Sequence, residues 1–368
     1  MNRLITIPVT LILAIVLFLG SSSCKKNKDE SASSEVNYSK IVYLGSTNLS
    51  QARCESAGAS YGNKILFAGG TSGNGVCFTT VDVYDISTGT WTVSQLSQGR
   101  SDLVSASAGN KVFFGGGFTD NSVLSKVVDI YDATTGAWTV AELSQARDEF
   151  AGGSAGNFVL FAGGFSAGGY SDVVDLYNSG TAQWTTGHLS AARNFLTGIG
   201  CRNKIFIAGG DNGPMLYSDA VDIYDVNSGL WSLAHLSSKR VRVVASAAGS
   251  KVLFAGGETA DSLSSTVDIY DMNTSLWKTS HLSQARIEMA GVSVGNLVLF
   301  AGGTDGTSVF DVIDIYNVNT GKWSVAKLSY PRFLVTAVAA GNKILFGGGI
   351  KSLGLTEIVS TVDIFQAE

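Results

Sequence analysis

Arginine and aspartate recur through this sequence at regular distances, and together they offer two kinds of charge chemistry. Seven arginines each stand 16 residues before a glycine pair, and an aspartate follows each pair after 12 to 15 residues. Seven guanidinium groups can form an anion-binding ring, or each can pair with one aspartate, and the regularity favours the structural pairing. The arginines are Arg53, Arg100, Arg147, Arg193, Arg240, Arg286 and Arg332. The aspartates are Asp82, Asp129, Asp175, Asp222, Asp268, Asp314 and Asp363.

The residue two positions after each arginine differs in chemical type from repeat to repeat, although the arginine itself is constant. This position collects four carboxylic acids, one arginine, one aromatic ring and one leucine. Such a mixed-charge set with an aromatic ring is suited to binding a sugar or a peptide, whereas solvated residues that pair with one another are the alternative. The seven candidate ligand-binding residues are Glu55, Asp102, Glu149, Phe195, Arg242, Glu288 and Leu334.

The sequence contains no recognisable catalytic or metal-binding set. Its three histidines, His188, His235 and His281, each follow a tryptophan by four residues in different repeats, so they are not expected to meet at one metal ion. It also lacks the GxSxG, P-loop and HExxH patterns of nucleophilic, phosphate and zinc chemistry. We therefore expect no catalytic residue, no metal and no cofactor.

An internal repeat must position these residues. Glycine pairs begin at seven positions that are 46 or 47 residues apart, each preceded by an apolar run, and a tryptophan follows in the first six copies. Short apolar runs bounded by Gly, Asn and Ser indicate strands and turns rather than helices. The glycine pairs begin at Gly69, Gly116, Gly163, Gly209, Gly256, Gly302 and Gly348.

The segments KILFAGG, VDVYD and TGTW, between Lys64 and Trp91, show this pattern well. They resemble the Kelch repeat, and the resemblance extends over about nine tenths of the chain. It implies an all-β fold, a β-propeller whose blades are four-stranded antiparallel sheets with strands a to d from the axis outward.

The two ends of the repeat array predict how the ring closes. Residues 333–365 supply strands a, b and c but no tryptophan strand, whereas KIVYLGSTNLSQAR (Lys40–Arg53) aligns with TGTWTVSQLSQGR (Thr88–Arg100). In this alignment Leu44 takes the place of Trp91, and Leu49 that of Leu96. We therefore predict a seven-bladed propeller over residues 40–368, in which the N-terminal strand d completes the C-terminal blade 7.

Strand order places the charged pairs and the variable residues at one end of each blade. With Arg at the start of strand a and Asp at the start of strand c, two strand spacings of about 4.8 Å separate them. A long Arg and a short Asp bridge that gap, within a blade or between neighbours, with bidentate geometry available. The b–c and d–a loops share this face, and only the b–c segment varies in length, so we expect ligand recognition there.

The N-terminus indicates export. Its first residues read MNRLITIPVTLILAIVLFLGSSSC, with an apolar run between Ile5 and Gly20. They resemble a bacterial lipoprotein signal, although Ser21 stands where such signals carry Leu. The resemblance implies a signal peptide over residues 1–23, lipidation of Cys24 and a polar tether over residues 24–39. A plain signal peptide or an uncleaved anchor are the alternatives, but a spanning helix needs about 20 apolar residues.

Net charge and cysteine content limit the kinds of partner that the protein is expected to bind and the compartment in which it is expected to lie. A net charge of −5 with no basic cluster in the repeats argues against nucleic acid or an anionic membrane surface as a partner. We expect a monomer that meets the membrane only through its lipid, in the bacterial cell envelope. Lys25, directly after Cys24, favours the outer membrane.

Cys54 and Cys77 belong to one blade and are expected to lie toward the same face of it, either as a disulfide or as two separate thiols.

Two functional classes follow from these observations. The favoured one is a membrane-tethered recognition module for a glycan, a peptide or a protein, because the resemblance to Kelch propellers implies a binding platform and no catalytic set is visible. The alternative is a carbohydrate-active enzyme that resembles the Kelch-type sialic acid epimerases. Its proton chemistry would depend on Glu55, Asp102, Glu149 or Glu288, because no histidine is expected on that face.

Overall fold

A computed structural model describes residues 36–368 apart from 74, 214 and 355, and this part of the chain folds as antiparallel β-sheets. The predicted signal peptide, Cys24 and the tether as far as residue 35 lie outside the described residues. Within the described part, the only helical element is a short 3-10 turn, Asp120–Ser122. None of its helices has the length and hydropathy to cross a membrane.

Seven four-stranded sheets form the blades. The described chain also has a three-stranded sheet of Arg147–Asp148, Phe165–Ser166 and Gly169–Tyr170, and a two-stranded sheet of Phe118–Thr119 and Val123–Leu124. Strands a to d of blade 1 are Ala57–Tyr61, Lys64–Ala68, Thr80–Asp85 and Thr90–Gln95, and those of blade 2 are Val104–Ala108, Lys111–Gly115, Val127–Asp132 and Trp138–Glu142. Strands a to d of blade 3 are Ala151–Ala155, Phe158–Ala162, Val173–Asn178 and Gln183–His188, and those of blade 4 are Thr197–Cys201, Lys204–Ala208, Ala220–Asp225 and Leu230–His235. Those of blades 5 to 7 are Val244–Ala248, Lys251–Ala255, Thr266–Asp271 and Leu276–His281; Ala290–Val294, Leu297–Ala301, Val312–Asn317 and Lys322–Lys327; and Thr336–Ala340, Lys343–Gly347, Thr361–Ala367 and, from the N-terminus, Ile41–Asn48.

The core lies between neighbouring blades. Strand b is apolar on both faces, so that Ile65, Leu66 and Phe67 of blade 1 are fully buried. Leu66 belongs to the same apolar cluster as Phe114 of blade 2. Strand a of each blade contacts strand a of the next, and strand a of blade 7 contacts strand a of blade 1, so the innermost strands form a closed ring. This arrangement is a β-propeller.

The N-terminal strand completes blade 7, as the sequence predicts. Ile41 pairs with Ala367 and Asn48 with Thr361, along the whole of strand c. The predicted alignment is wrong by one residue at its aromatic position, because the register shifts between Tyr43 and Gly45. Tyr43 therefore faces Phe365, with ring centroids 5.2 Å apart, as Trp91 faces Tyr84 in blade 1.

The described chain enters the propeller on the face that carries the a–b and c–d turns. Tyr38, which the sequence analysis assigns to the tether, accepts and donates hydrogen bonds with Asn296 in the a–b turn of blade 6. Ser39 donates its backbone N–H to Glu368, 2.6 Å away. The docked chain therefore starts before residue 40, and it starts on the face opposite the b–c loops.

Each glycine pair sits where strand b leaves its sheet and two linkers approach it. Gly69 and Gly70 both have left-handed backbones, with φ of +65° and +92°. A Cβ on Gly69 would lie 2.5 Å from the carbonyl oxygen of Arg100, and one on Gly70 would lie 2.6 Å from that of Cys54. Glycine is therefore required at both positions, for conformation and for space.

Candidate functional site

The seven repeated arginines form ion pairs inside the blades. Each is fully or almost fully buried and contacts the aspartate of its own blade. The N–O distance is 2.5 Å for Arg100–Asp129 and 2.7 Å for Arg286–Asp314. The pairs are Arg53–Asp82, Arg100–Asp129, Arg147–Asp175, Arg193–Asp222, Arg240–Asp268, Arg286–Asp314 and Arg332–Asp363.

The expected bidentate geometry does not form, because each arginine reaches its aspartate through Nη2 alone; Nη1 donates to backbone carbonyls, and Nε has no partner in six of the seven arginines. Arg100 reaches Asp129 through one nitrogen, while its Nη1 donates to the carbonyl oxygens of Gly116 and Val127, at 2.9 and 2.8 Å. In every blade the aspartate also accepts a backbone N–H from the segment after strand d of the preceding blade. The arginines therefore hold the framework together and are not exposed to a ligand.

The seven variable residues line one cavity of about 670 Å³ at the mouth of the channel. Each has a left-handed backbone, with φ between +48° and +55°. This conformation, which is uncommon for residues other than glycine, turns the linker after strand d into strand a. Asp102 donates its backbone N–H to Glu55 of the neighbouring blade at 3.1 Å, and Leu334 does so to Glu288 at 3.0 Å. The seven ring residues thus share one backbone conformation, and only their side chains differ.

Part of the cavity wall is already paired. The guanidinium of Arg242 lies over the ring of Phe195, 4.7 Å from its centroid. Its Nη1 lies 3.4 Å from Oε1 of Glu288. Burial raises the pKa of Glu288, although the nearby Arg242 opposes this shift. Blades 4, 5 and 6 therefore offer a partly neutralised wall.

The wall formed by blades 1, 2 and 3 carries carboxyl groups that are difficult to ionise. Burial raises the pKa of Asp102 to about 8, and the negative charge of Glu55 adds to the shift. Burial and the charge of Asp148 raise the pKa of Glu149 to about 7. Burial and Glu288 raise the pKa of Glu55 as well. Asp102 and Glu149 gain or lose protons near neutral pH, so the charge of the site depends on pH and on the ligand.

Three polar residues next to the ring were not among the sequence candidates. Asp148 and Asn194 are buried, and Asp211 is partly buried. Asn194 donates its Nδ2 to Oε2 of Glu149 at 2.6 Å, while Oδ1 of each of the three residues has no hydrogen-bond partner. Burial raises the pKa of Asp148 to about 6 and also raises that of Asp211.

The sequence carries a signal for Asp148 and Asn194, because each directly follows a repeated arginine. At this position of the seven repeats the chain carries Cys54, Ser101, Asp148, Asn194, Val241, Ile287 and Phe333, a set as varied as the predicted ring. These residues pair with the position that follows each glycine pair, for example Asn194 with Asp211. The b–c loops are therefore fastened to the linkers that carry the ring.

A second cavity of about 520 Å³ adjoins the first and shares Glu55, Asp102 and Leu334 with it. Cys54 and Cys77 line it as free thiols, so a disulfide between them is not present. The residue Thr71 pairs with both of them, one on each side. Two strand spacings of about 4.8 Å exceed the roughly 7 Å between Cα atoms that a disulfide tolerates.

The histidines lie away from this site, on the outer strands. His188 and His235 are exposed, with Nδ1 atoms 3.1 Å from Asp172 and 3.4 Å from Asp219. Across the described part of the chain, no three metal-binding side chains are grouped as a metal ion would require.

Comparison with known families agrees with this architecture. A Kelch motif model matches residues 52–94, which comprise most of blade 1, and residues 285–327, which comprise most of blade 6. These matches support a Kelch-repeat protein. Together with the four-stranded antiparallel sheets they fit a β-propeller, and a Kelch propeller suggests a protein-binding or recognition module. No curated protein matches the chain.

Proposed function

We propose that this propeller is an extracytoplasmic recognition module whose ligand, a glycan, a peptide or a protein, binds at the channel mouth. The observation that carries the proposal is the set of seven equivalent residues that line one cavity on one backbone conformation. A volume of about 670 Å³ is typical of ligand sites, which measure roughly 300–1,000 Å³. A rigid backbone that presents varied side chains is the arrangement of a binding surface.

The loops around the mouth favour a macromolecular ligand. Large apolar side chains on the b–c loops are exposed, among them Phe165, Met215, Leu216 and Leu353. Isolated exposed apolar residues are common, but these all lie on b–c loops, on the face that carries the cavity. They therefore provide contact area beyond the cavity itself.

The first described residues lie away from the cavity. Tyr38 docks on the a–b turn of blade 6, which is on the face opposite the mouth. We propose lipid attachment in the bacterial cell envelope, at the outer membrane, on the evidence of the N-terminal sequence and Lys25.

The test is a glycan and peptide array probed with the full chain in detergent. Binding to one class of ligand should be lost in Glu149→Gln and Phe195→Ala, which alter the cavity wall. The exposed Glu142→Gln, on strand d of blade 2, is the matched control and should bind as the wild type does. Equal binding by all three variants would contradict a site at the mouth.

One observation favours a second function, acid–base catalysis on a carbohydrate. The raised pKa of Asp102, about 8, and of Glu149, about 7, suit groups that exchange protons at neutral pH. This is the alternative that resembles the Kelch-type sialic acid epimerases. Nuclear magnetic resonance of N-acetylneuraminic acid would detect interconversion of its anomers, which Asp102→Asn should slow. A rate equal to that of buffer alone would exclude this activity.

A further inference from the structure

The mouth of the channel has many more acidic than basic groups. Four of the seven ring residues are carboxylic acids, and Asp148 and Asp211 add two more beside blades 3 and 4. Arg242 is the one basic side chain that lines the cavity within the described ranges. It is already engaged by Phe195 and Glu288. The acids of blades 1 to 4 therefore have no ion-pair partner among the residues that line the cavity, and Arg242 acts on Glu149 and Asp211 only at longer range.

Directly behind the acidic wall lie two buried side chains, each with a hydrogen-bond acceptor that has no donor. Asp148 is 3% exposed and Asn194 is 6% exposed, yet Oδ1 of each has no partner. Both residues act on the cavity itself, since Asn194 donates to Glu149 and the charge of Asp148 raises the pKa of Asp102 and Glu149. Their unpaired oxygens add negative potential behind Glu149, so this wall is suited to a ligand that carries positive charge.

Apolar side chains lie between the acids and extend around the rim. Phe150 and Leu196 line the cavity next to Glu149 and Phe195. On blades 6, 7 and 1 the rim is formed by an apolar cluster of Cys54, Phe333 and Ile350, with Leu334 packed against it. The charged group that fits the acidic wall would therefore enter on an apolar stem.

We propose that the mouth binds a lysine or arginine side chain presented by a partner protein, with the cation between Asp102 and Glu149. This inference rests on the proposed recognition function of the same cavity. The ammonium or guanidinium group donates to the carboxylates of Asp102 and Glu149, and its alkyl stem packs on Phe150 and Leu196, all four of which line the cavity. Arginine suits the wall better than lysine, because its five N–H donors match several acceptors at once. The exposed apolar b–c loops contact the rest of the partner.

Binding of a cation must then depend on pH. Asp102 is faced by Glu55, Asp148, Glu149 and Glu288, all acidic, and Glu149 by Asp148, Asp211 and Arg242. Asp102 and Glu149, with pKa values of about 8 and about 7, are largely protonated at pH 6, and a cationic ligand binds their ionised forms. Affinity therefore rises between pH 6 and pH 8, by up to about tenfold per pH unit for each proton released.

Calorimetric titration of the full chain in detergent tests the inference. The probes are capped pentapeptides with one central arginine, lysine, citrulline or glutamate between alanines, together with spermidine as a free polycation. We expect the arginine peptide to bind at least tenfold more tightly than the citrulline peptide, and at least tenfold more tightly at pH 8 than at pH 6. The double variant Asp102→Asn, Glu149→Gln should lose this binding, and Glu142→Gln should retain it.

Three other outcomes would each overturn a different part of the proposal. Binding of spermidine without the arginine or lysine peptides would overturn the choice of a protein partner. Array binding that the mouth variants abolish, together with no binding of any cationic probe, would overturn the cation and leave the recognition function intact. Failure of every array ligand and every probe would contradict the recognition function itself. Matching circular dichroism spectra establish that the double variant is folded.

Discussion

Arg147 and Asp175 form an ion pair inside blade 3 from which solvent is almost completely excluded. The side chain of Arg147 is 0% exposed and that of Asp175 is 4% exposed. Asp175 also accepts the backbone N–H of Ser144, 2.9 Å away, in the segment that follows strand d of blade 2. The carboxylate therefore fixes its own blade and joins it to the preceding one. The same joint recurs around the ring, which accounts for the regularity of both residues.

Removing either partner of this pair should destabilise the fold strongly. Arg147→Ala leaves a buried carboxylate and Asp175→Ala a buried guanidinium, each at a cost of about 3 kcal/mol or more. The double variant should cost less than the sum of the two, because neither charge is then left alone. Urea unfolding of the four proteins measures the coupling.

The exposed pair Lys327–Asp311 is the matched control, since its lysine side chain is 75% exposed. Lys327→Ala and Asp311→Ala should each change the free energy of unfolding by about 1 kcal/mol or less. Additive energies for the buried pair would contradict its structural role.

Closure of the ring by the N-terminal segment can be tested with two leucines of that segment. Leu49 is buried in an apolar cluster that contains Phe67 of blade 1 and Leu345 of blade 7. Leu49→Ala should cost about 2–5 kcal/mol in the free energy of unfolding, since it leaves a cavity at the junction. Leu44 lies at the register shift and is exposed, so Leu44→Ala should cost about 0.5 kcal/mol or less. Similar melting temperatures for both variants would mean that the segment does not stabilise the closure.

The fold was predictable because one supersecondary unit repeats with a constant register. The fixed distance from Arg53 to Gly69 recurs in all copies, and it determines strand order, the paired charges and the composite blade. The bulge at Leu44 was not predictable, because one extra residue in a strand leaves no signal in an ungapped alignment. Docking of Tyr38 on Asn296 was missed for a similar reason, since a single contact of the backbone has no repeat to reveal it.

The candidate site was predictable in membership but not in chemistry. Register alone identified the seven cavity residues, because equivalent positions in a ring face the same axis. The buried acceptors of Asp148 and Asn194 depend on how the b–c loops cover the linkers, and loop paths do not follow from strand periodicity. The sequence left open whether Cys54 and Cys77 are bonded, because it does not show that Thr71 pairs between them.

The cysteines of the propeller should remain as thiols. Burial raises the pKa of Cys54 to about 12, so its reactive thiolate is scarce at pH 8. Cys54 should therefore react slowly with iodoacetamide in the native protein and rapidly in urea. Mass spectrometry of peptides prepared without reduction checks both statements. A peptide that joins Cys54 to Cys77 would contradict them.

The N-terminal sequence makes a prediction about the membrane. If Cys24 carries the lipid, Cys24→Ala should move the protein from the membrane fraction to the soluble fraction of the cell. Metabolic labelling with a radioactive fatty acid should mark the wild type and not the variant. A variant that stays in the membrane as an unprocessed precursor would favour the uncleaved anchor instead. Ser21→Leu is a useful comparison, because it restores the residue usual in lipoprotein signals and should preserve labelling.

The carboxyl of Asp102 should make the stability of the fold depend on pH. Its pKa in the folded protein is about 8, whereas aspartate in an unfolded chain titrates near 3.9, so between these values the folded state holds the extra proton. Its contribution to stability is complete below the unfolded pKa and is lost as the pH rises through the folded pKa.

The variant Asp102→Asn has no carboxyl proton to lose. The variant should therefore gain at least about 1 kcal/mol relative to the wild type between pH 5 and pH 9, as urea unfolding at each pH measures. Glu142→Gln, on the exposed strand d of blade 2, should show a constant difference from the wild type. The same constant difference for Asp102→Asn would mean that this carboxyl is ionised at neutral pH, and the pH dependence of cation binding would then require another group.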